Sequence, residues 1–236
     1  IARCRSTLQA LADDIAAGHH CPSVSWGVVA DGEVVLHSGT PHTVYRIASM
    51  TKSFTAATIL SLRDDGRLGL ADPVARHVPD LLGLRGPTAD SPTVTVRHLL
   101  TMSAGLPTDD PWGDRQQGLD LDRFAELLRA GPTFAWTPGM RFEYSNLGYG
   151  ILGRVIANVA GREYKDVVRE RLLDPLGLTA TTFERTDVPP ERLAHGYLWR
   201  DRTLGVMPLY HTMGIHSLLA MHLVGWCFVP QARWDA

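Results

Sequence analysis

Two short apolar runs flank an Asp-Gly pair near the start of the chain, and strand signals become scarce after them. The runs are Val24-Ser25-Trp26-Gly27-Val28-Val29-Ala30 and Glu33-Val34-Val35-Leu36-His37, with Asp31-Gly32 between. Asp-Gly accepts the positive φ angles that a two-residue connection demands, so this is a strong hairpin signal. The surrounding text is helical. Residues 6–17 place Leu8, Leu11, Ile15 and Ala16 at helical spacing before a stop at Gly18. A helix is expected from about Ser49 to Asp64, ending at Gly66. Segments 94–100, 121–130, 147–160 and 164–173 read as helical or mixed, separated by Pro- and Gly-rich loops such as 105–118. In 147–160, Leu147, Ile151, Leu152, Val155, Ile156 and Val159 share one face, and Gly161 supplies the stop. One hairpin, a mainly helical region and a short return segment predict an α+β fold with an incomplete antiparallel sheet.

Length and charge narrow the partners. A chain of 236 residues buries one substantial core or two small ones. With 44% hydrophobic residues, 20% charged residues and a net charge of −2, it carries no electrostatic footprint for nucleic acid. No apolar stretch approaches the ~18 residues of a membrane-spanning helix. The most apolar part of the tail, 218–229, contains His222 and reads as a core element. The start, Ile1-Ala2-Arg3-Cys4-Arg5, does not resemble a secretory signal, so a cytoplasmic location is expected; it also lacks a starting Met, which fits a processed or lost beginning. Cys4, Cys21 and Cys227 form neither a disulfide framework nor a zinc spacing and are expected to be buried free thiols.

The strongest chemical signal is Ser49-Met50-Thr51-Lys52. A helix beginning near Ser49 puts residues i and i+3 on one face, making hydroxyl and amine neighbours. The helix N-terminus favours a developing alkoxide at Ser49, and Lys52 supplies a base or a positive charge one turn on. The spacing alone is weak, arising by chance about once in every few hundred residues. Residue economy strengthens it. Lys52 and Lys165 are the only lysines, against 21 arginines (23 basic residues minus 2). Arg holds its proton in a protein, whereas a Lys amine can be tuned by burial to act as a base. A lysine kept one turn after a serine in an apolar helix is poorly explained as a solvated charge.

The second signal is Phe142-Glu143-Tyr144-Ser145-Asn146-Leu147, directly before a well-formed helix. Ser145 or Asn146 can cap that helix. The turn can also aim Tyr144 and Asn146 into a cleft, where a phenol beside cationic groups serves as general base. Neither reading excludes the other. The ten histidines suggest no metal: His19-His20 are adjacent, and His211, His216 and His222 lack the i, i+4 pairing of a helical site. No glycine-rich phosphate loop occurs, and no cofactor is expected. Asp64-Asp65 and Asp109-Asp110 read as solvated turn residues.

These motifs together resemble the serine β-lactamase and penicillin-binding-protein family. Tyr45-Arg46-Ile47-Ala48-Ser49-Met50-Thr51-Lys52-Ser53-Phe54 is similar to its nucleophile motif. Tyr144-Ser145-Asn146 is similar to the second motif of the class C β-lactamase, D,D-peptidase and related esterase branch. Residues 65–74, 96–107 and the Asp174-Pro175-Leu176-Gly177-Leu178 segment resemble the same branch in the same order, and the likeness runs from about residue 20 to about 217. It implies a β-lactamase/transpeptidase-like fold, an antiparallel sheet flanked by helices plus a mainly helical region, with the active site between them. The whole chain then forms one such domain, with about 1–60 and 190–236 as the α/β part and about 61–189 as the helical part. It also implies roles: Ser49 as the acylated nucleophile, Lys52 and Tyr144 sharing the proton work, Asn146 holding the substrate amide. On the same resemblance the Ser49 N–H is expected to form half of the oxyanion hole. The resemblance further implies a substrate that is a small molecule or peptide carrying an amide, ester or β-lactam.

One departure stands against this. The family's third motif, Lys or His followed by Thr or Ser and Gly, has no counterpart in the expected place. His211-Thr212-Met213 lacks the Gly, and His37-Ser38-Gly39 lies in the first hairpin. Met213-Gly214-Ile215-His216-Ser217 resembles the family's Gly-Gly-x-x-Ser segment, but Leu218-Leu219-Ala220-Met221-His222-Leu223 is not the polar helix expected next. Truncation or frame disruption is the expectation, and the alternative function is a catalytically inactive remnant or binding domain of the same fold.

Overall fold

The computed structural model describes residues 2–18, 24–39, 42–108 and 119–194. These group into two compact units, one holding the chain up to Ala48 together with the residues from Glu184, the other holding Ser49–Phe183. Cys21, Cys227, Asp109-Asp110, five of the histidines discussed above (His19, His20, His211, His216, His222) and the 211–217 segment lie outside the described residues.

In the first unit, α1 (Ala2–Gly18) precedes an antiparallel hairpin of β1 (Trp26–Ala30) and β2 (Glu33–Ser38). The turn is the expected one, with φ of 51° at Asp31 and 83° at Gly32. Trp26 lies opposite Ser38 and Val28 opposite Leu36, after which a bulge between Val28 and Val29 shifts the register to Val29 opposite Val34. A bulge exchanges which side chains face inward; Leu36 is buried while Val29 and Val34 are exposed. Along α1 the inward line is Leu8, Ala12 and Ile15, at i, i+4 and i+7. Leu11 was expected on that face but is 54% exposed, because it falls on the flank of the stripe. Cys4, expected to be buried, is also exposed on α1. A parallel bridge between Val44 and Leu193 ties the two stretches of this unit, with Val44 N–H donating to Arg192 O at 2.7 Å and Ala194 N–H to Val44 O at 3.0 Å.

The second unit is helical: α2 (Thr51–Asp64), α3 (Val74–His77), α4 (Val96–Leu100), α5 (Leu121–Ala130), α6 (Asn146–Ala160) and α7 (Tyr164–Val168). The 164–173 segment, read as helical or mixed, is α-helical to Val168 and then widens into a π-helical turn over Arg169–Leu173. There Arg171 reaches back to Ser61 Oγ (2.8 Å) and to Asp65 (2.6 Å). The core is built on α6, whose Ile151, Leu152, Val155 and Ile156 are buried against Ile59 and Leu62 of α2, Leu99 of α4, Leu128 of α5 and Val167 of α7. Each such side chain contributes about 1.5–3 kcal/mol relative to exposure, so α2 and α6 are held by packing more than by helix propensity. Local signals set the ends. Ser145 Oγ accepts from Gly148 N–H at 3.1 Å at the start of α6, and Gly161 ends it at φ 70°. Asp72 gathers the Gly69 N–H (2.8 Å), His77 Nε2 (2.8 Å) and Arg76 (3.2 Å). Its carboxyl is thereby held below the ordinary aspartate range, by the Gly69 N–H first, against a burial that works the other way.

Two loops are laced together beneath the start of α6. Gly105 O accepts from Ala135 N–H (2.8 Å) and Trp136 N–H (3.1 Å), Ser103 O from Gly139 N–H (2.7 Å), and Met102 O from Glu143 N–H (2.7 Å). Gly105 sits at φ 80°, and a Cβ there would lie 2.0 Å from Trp136 O, so only glycine fits. The Glu143 carboxylate closes the arrangement by accepting from Thr108 Oγ1 and, at 3.2 Å, from Trp136 Nε1.

Candidate active site

Ser49 lies in a 3₁₀ turn, Ala48–Met50, that leads into α2; the α-helix itself begins at Thr51, two residues later than expected. The tighter turn does not separate the pair, since Lys52 Nζ donates to Ser49 Oγ at 2.9 Å. Met50, the N-cap of α2, makes no side-chain cap, and the first turn holds no acidic residue. The positive end of the helix is therefore not offset by a local carboxylate, which favours negative charge developing at Ser49.

The loop laced by Glu143 brings the second motif to the same point. Tyr144 Oη is 2.7 Å from Ser49 Oγ and accepts from Lys52 Nζ at 2.7 Å, while Asn146 Oδ1 accepts from Lys52 at 2.7 Å. All four residues named from sequence, Ser49, Lys52, Tyr144 and Asn146, thus meet in one hydrogen-bonded cluster. Ser145 between them is buried and caps α6, as the capping reading of the 144–146 turn has it, while the Tyr144 and Asn146 side chains reach Lys52.

A hydrogen count limits how the cluster works. An ammonium carries three hydrogens, and Lys52 Nζ reaches the oxygens of Ser49, Tyr144 and Asn146 at 2.9, 2.7 and 2.7 Å. With Lys52 donating to both hydroxyl oxygens, the hydrogen on the Ser49–Tyr144 line is the one left to move. The Asn146 amide is oriented by the same contact, its oxygen toward the amine.

One neighbour was not anticipated. Tyr149, on α6, lies with its ring centroid 5.8 Å from Lys52 Nζ, and the Tyr144 ring is 4.8 Å from it. Tyr149 Oη donates to Leu100 O at 3.1 Å, and burial pushes its phenol above the ordinary tyrosine value, so it remains a neutral donor. Its signal was an aromatic residue three positions after Asn146 on a face otherwise aliphatic. Deeper along α2, Thr55 Oγ1 and Tyr164 Oη lie 2.8 Å apart, and burial likewise raises the Tyr164 phenol. Among the described residues no group of three or more His, Cys, Asp or Glu could hold a metal ion, and no helix is long and apolar enough to cross a membrane.

A serine-bearing turn and a Tyr-Ser-Asn turn are thus joined through one lysine. The chain belongs to the Beta-lactamase family, whose model matches residues 8–226. Protein flp of Staphylococcus aureus (strain MW2) is 35% identical over 193 residues, which are 75% of this chain and 38% of Flp. The octameric penicillin-binding protein homologue from Pyrococcus abyssi superposes with a TM-score of 0.69 at 28% identity, covering 93% of this chain and 56% of that one. The beta-lactamase/D-alanine carboxypeptidase from Yersinia pestis, solved with citrate, gives a TM-score of 0.67 at 25% identity, covering 78% of this chain and 56% of that one. The fold is β-lactamase/transpeptidase-like. The chain spans well under two thirds of the length of each of these relatives.

Proposed function

We propose that Ser49 is the nucleophile of an acyl-transfer reaction on an amide, ester or β-lactam of a small molecule or peptide. The observation that carries this is the convergence of Ser49, Lys52, Tyr144 and Asn146 within hydrogen-bond distance. In the proposed step Ser49 Oγ bonds to the substrate carbonyl carbon as its hydrogen passes to Tyr144 Oη. The ammonium of Lys52 favours the proton-accepting form of that oxygen electrostatically. Collapse breaks the carbonyl bond to the leaving group, which takes the proton back and leaves an ester on Ser49. Water then gives a proton to the same oxygen as it adds to the ester carbonyl; the bond to Ser49 Oγ breaks, and Tyr144 returns the proton to Ser49 as the acid leaves. The Ser49 N–H, at the positive end of α2, supports the oxyanion, and Asn146 meets the substrate amide.

Reaction with a fluorophosphonate or a penicillin, followed by intact-mass measurement and peptide mapping, tests the assignment. The expected adduct is on Ser49. A label on Ser103, Ser145 or Ser217 with Ser49 untouched refutes it.

A further inference from the structure

Lys52 is held from two directions. Its hydrogens meet the oxygens of Ser49, Tyr144 and Asn146, while the Tyr149 ring lies within 6 Å of Nζ, the distance at which a ring face attracts a cation. Tyr144 already uses its oxygen in the cluster. Tyr149 does not: its hydroxyl is turned to Leu100 O, a carbonyl at the C-terminal end of α4 that has no helical partner. That bond pins the ring to a second helix, and α6 carries it five residues past Tyr144 and three past Asn146. Next door, a Cβ built on Gly148 would lie 3.7 Å from Leu99 Cδ2, so the α6 backbone runs close to α4 beside the pinned ring.

We infer that Tyr149 is a positioning residue, whose ring face holds the Lys52 amine beneath Ser49 and Tyr144 and favours its charged form. The inference rests on the acyl-transfer reading for its purpose, but the contact between ring and amine stands independently. Among the described residues, Tyr144 from the loop before α6 and Tyr149 from α6 face Lys52. From α7, Tyr164 faces α2 one turn further on, at Thr55. The nearest ion pair on the π-helical side, Arg171 with Asp65, lies at the opposite end of α2.

The chain has only two lysines, so ¹⁵N-labelled lysine gives two side-chain signals, with Lys165 as internal reference. The Lys52 midpoint is followed against pH in the parent, Tyr149→Phe, Tyr149→Leu, and a protein carrying tetrafluorophenylalanine at 149. Phe keeps the ring and is expected to titrate within about 0.3 unit of the parent. Leu removes the ring face and is expected to lower the midpoint by about one unit, a tenfold loss of proton affinity. The fluorinated ring keeps shape but loses its negative face, and it shifts the midpoint downward even if the Leu protein fails to fold. The pH profile of Ser49 labelling moves by the same amount. Equal midpoints across the series, or a Phe protein shifted as far as the Leu protein, overturn the inference. Failure of the acyl-transfer reading looks different: no Ser49 adduct in the parent, with the titration series still decisive.

Discussion

Gly105→Ala should damage the protein far more than an ordinary glycine substitution. Gly105 is at φ 80°, where an alanine costs about 1–2 kcal/mol in backbone strain alone. The added Cβ would sit 2.0 Å from Trp136 O, and that atom is backbone, so the loop itself must move. Moving it stretches the Ala135 and Trp136 hydrogen bonds to Gly105 O, each worth about 0.5–1.5 kcal/mol. The total is about 2–5 kcal/mol, much of the stability of a small domain. Gly161→Ala is the control: its φ is 70°, but nothing lies within 4 Å of the new Cβ, so only the strain of about 1–2 kcal/mol applies. Denaturant titration of both variants and the parent measures the difference, with Ser49 labelling as a second readout, because the disturbed loop carries Glu143 and Tyr144. Equal losses in the two variants would falsify the argument that the two loops are locked by contact at Gly105.

Lys52→Arg should lower Ser49 acylation by about 10²-fold although it keeps the charge, because a planar guanidinium cannot replace the compact ammonium that meets Ser49, Tyr144 and Asn146 at once, and Tyr144 is displaced from Ser49; near-parental labelling rates would reduce Lys52 to a charge or a packing stem. Ser145→Ala should cost about 1 kcal/mol by removing the α6 cap, seen as a lower denaturant midpoint, and the expectation fails if the midpoint is unmoved. Asp72 has a lowered folded-state carboxyl, so its contribution is present above the unfolded value near 3.9 and fades as pH falls through the folded one. Melting temperature followed from pH 6 to 2 should therefore fall more steeply in the parent than in Asp72→Asn, and parallel curves would remove Asp72 from the acid response.

What was legible in the sequence was whatever depends on near neighbours. The hairpin followed from Asp31-Gly32, and α6 from its apolar stripe and the glycine after it, because turn and helix signals act within a few residues. The grouping of Ser49, Lys52, Tyr144 and Asn146 came from ordered motifs resembling a known family. Local spacing supports only the Ser49–Lys52 half of it. Tyr149 escaped notice because its role depends on α2 packing against α6, and a tyrosine on an apolar face reads as core. The bulge at Val28 and Val29 and the π-helical turn after α7 escaped for a related reason. Each answers a demand made across the fold, such as Arg171 reaching Ser61 and Asp65, that leaves no mark in local periodicity.

The contact from Lys52 to Tyr144 spans 92 positions of chain. Bringing two points that far apart together carries an entropy term of about 4 kcal/mol, from three halves of RT times the logarithm of the separation. Four polar side chains joined by modest hydrogen bonds cannot supply that while α2 and α6 are apart. The helices supply it when Ile59 and Leu62 meet Ile151, Leu152 and Val155. Chemical competence and core formation are then a single kinetic event. During refolding, Ser49 reactivity should return in step with native helix packing and never ahead of it.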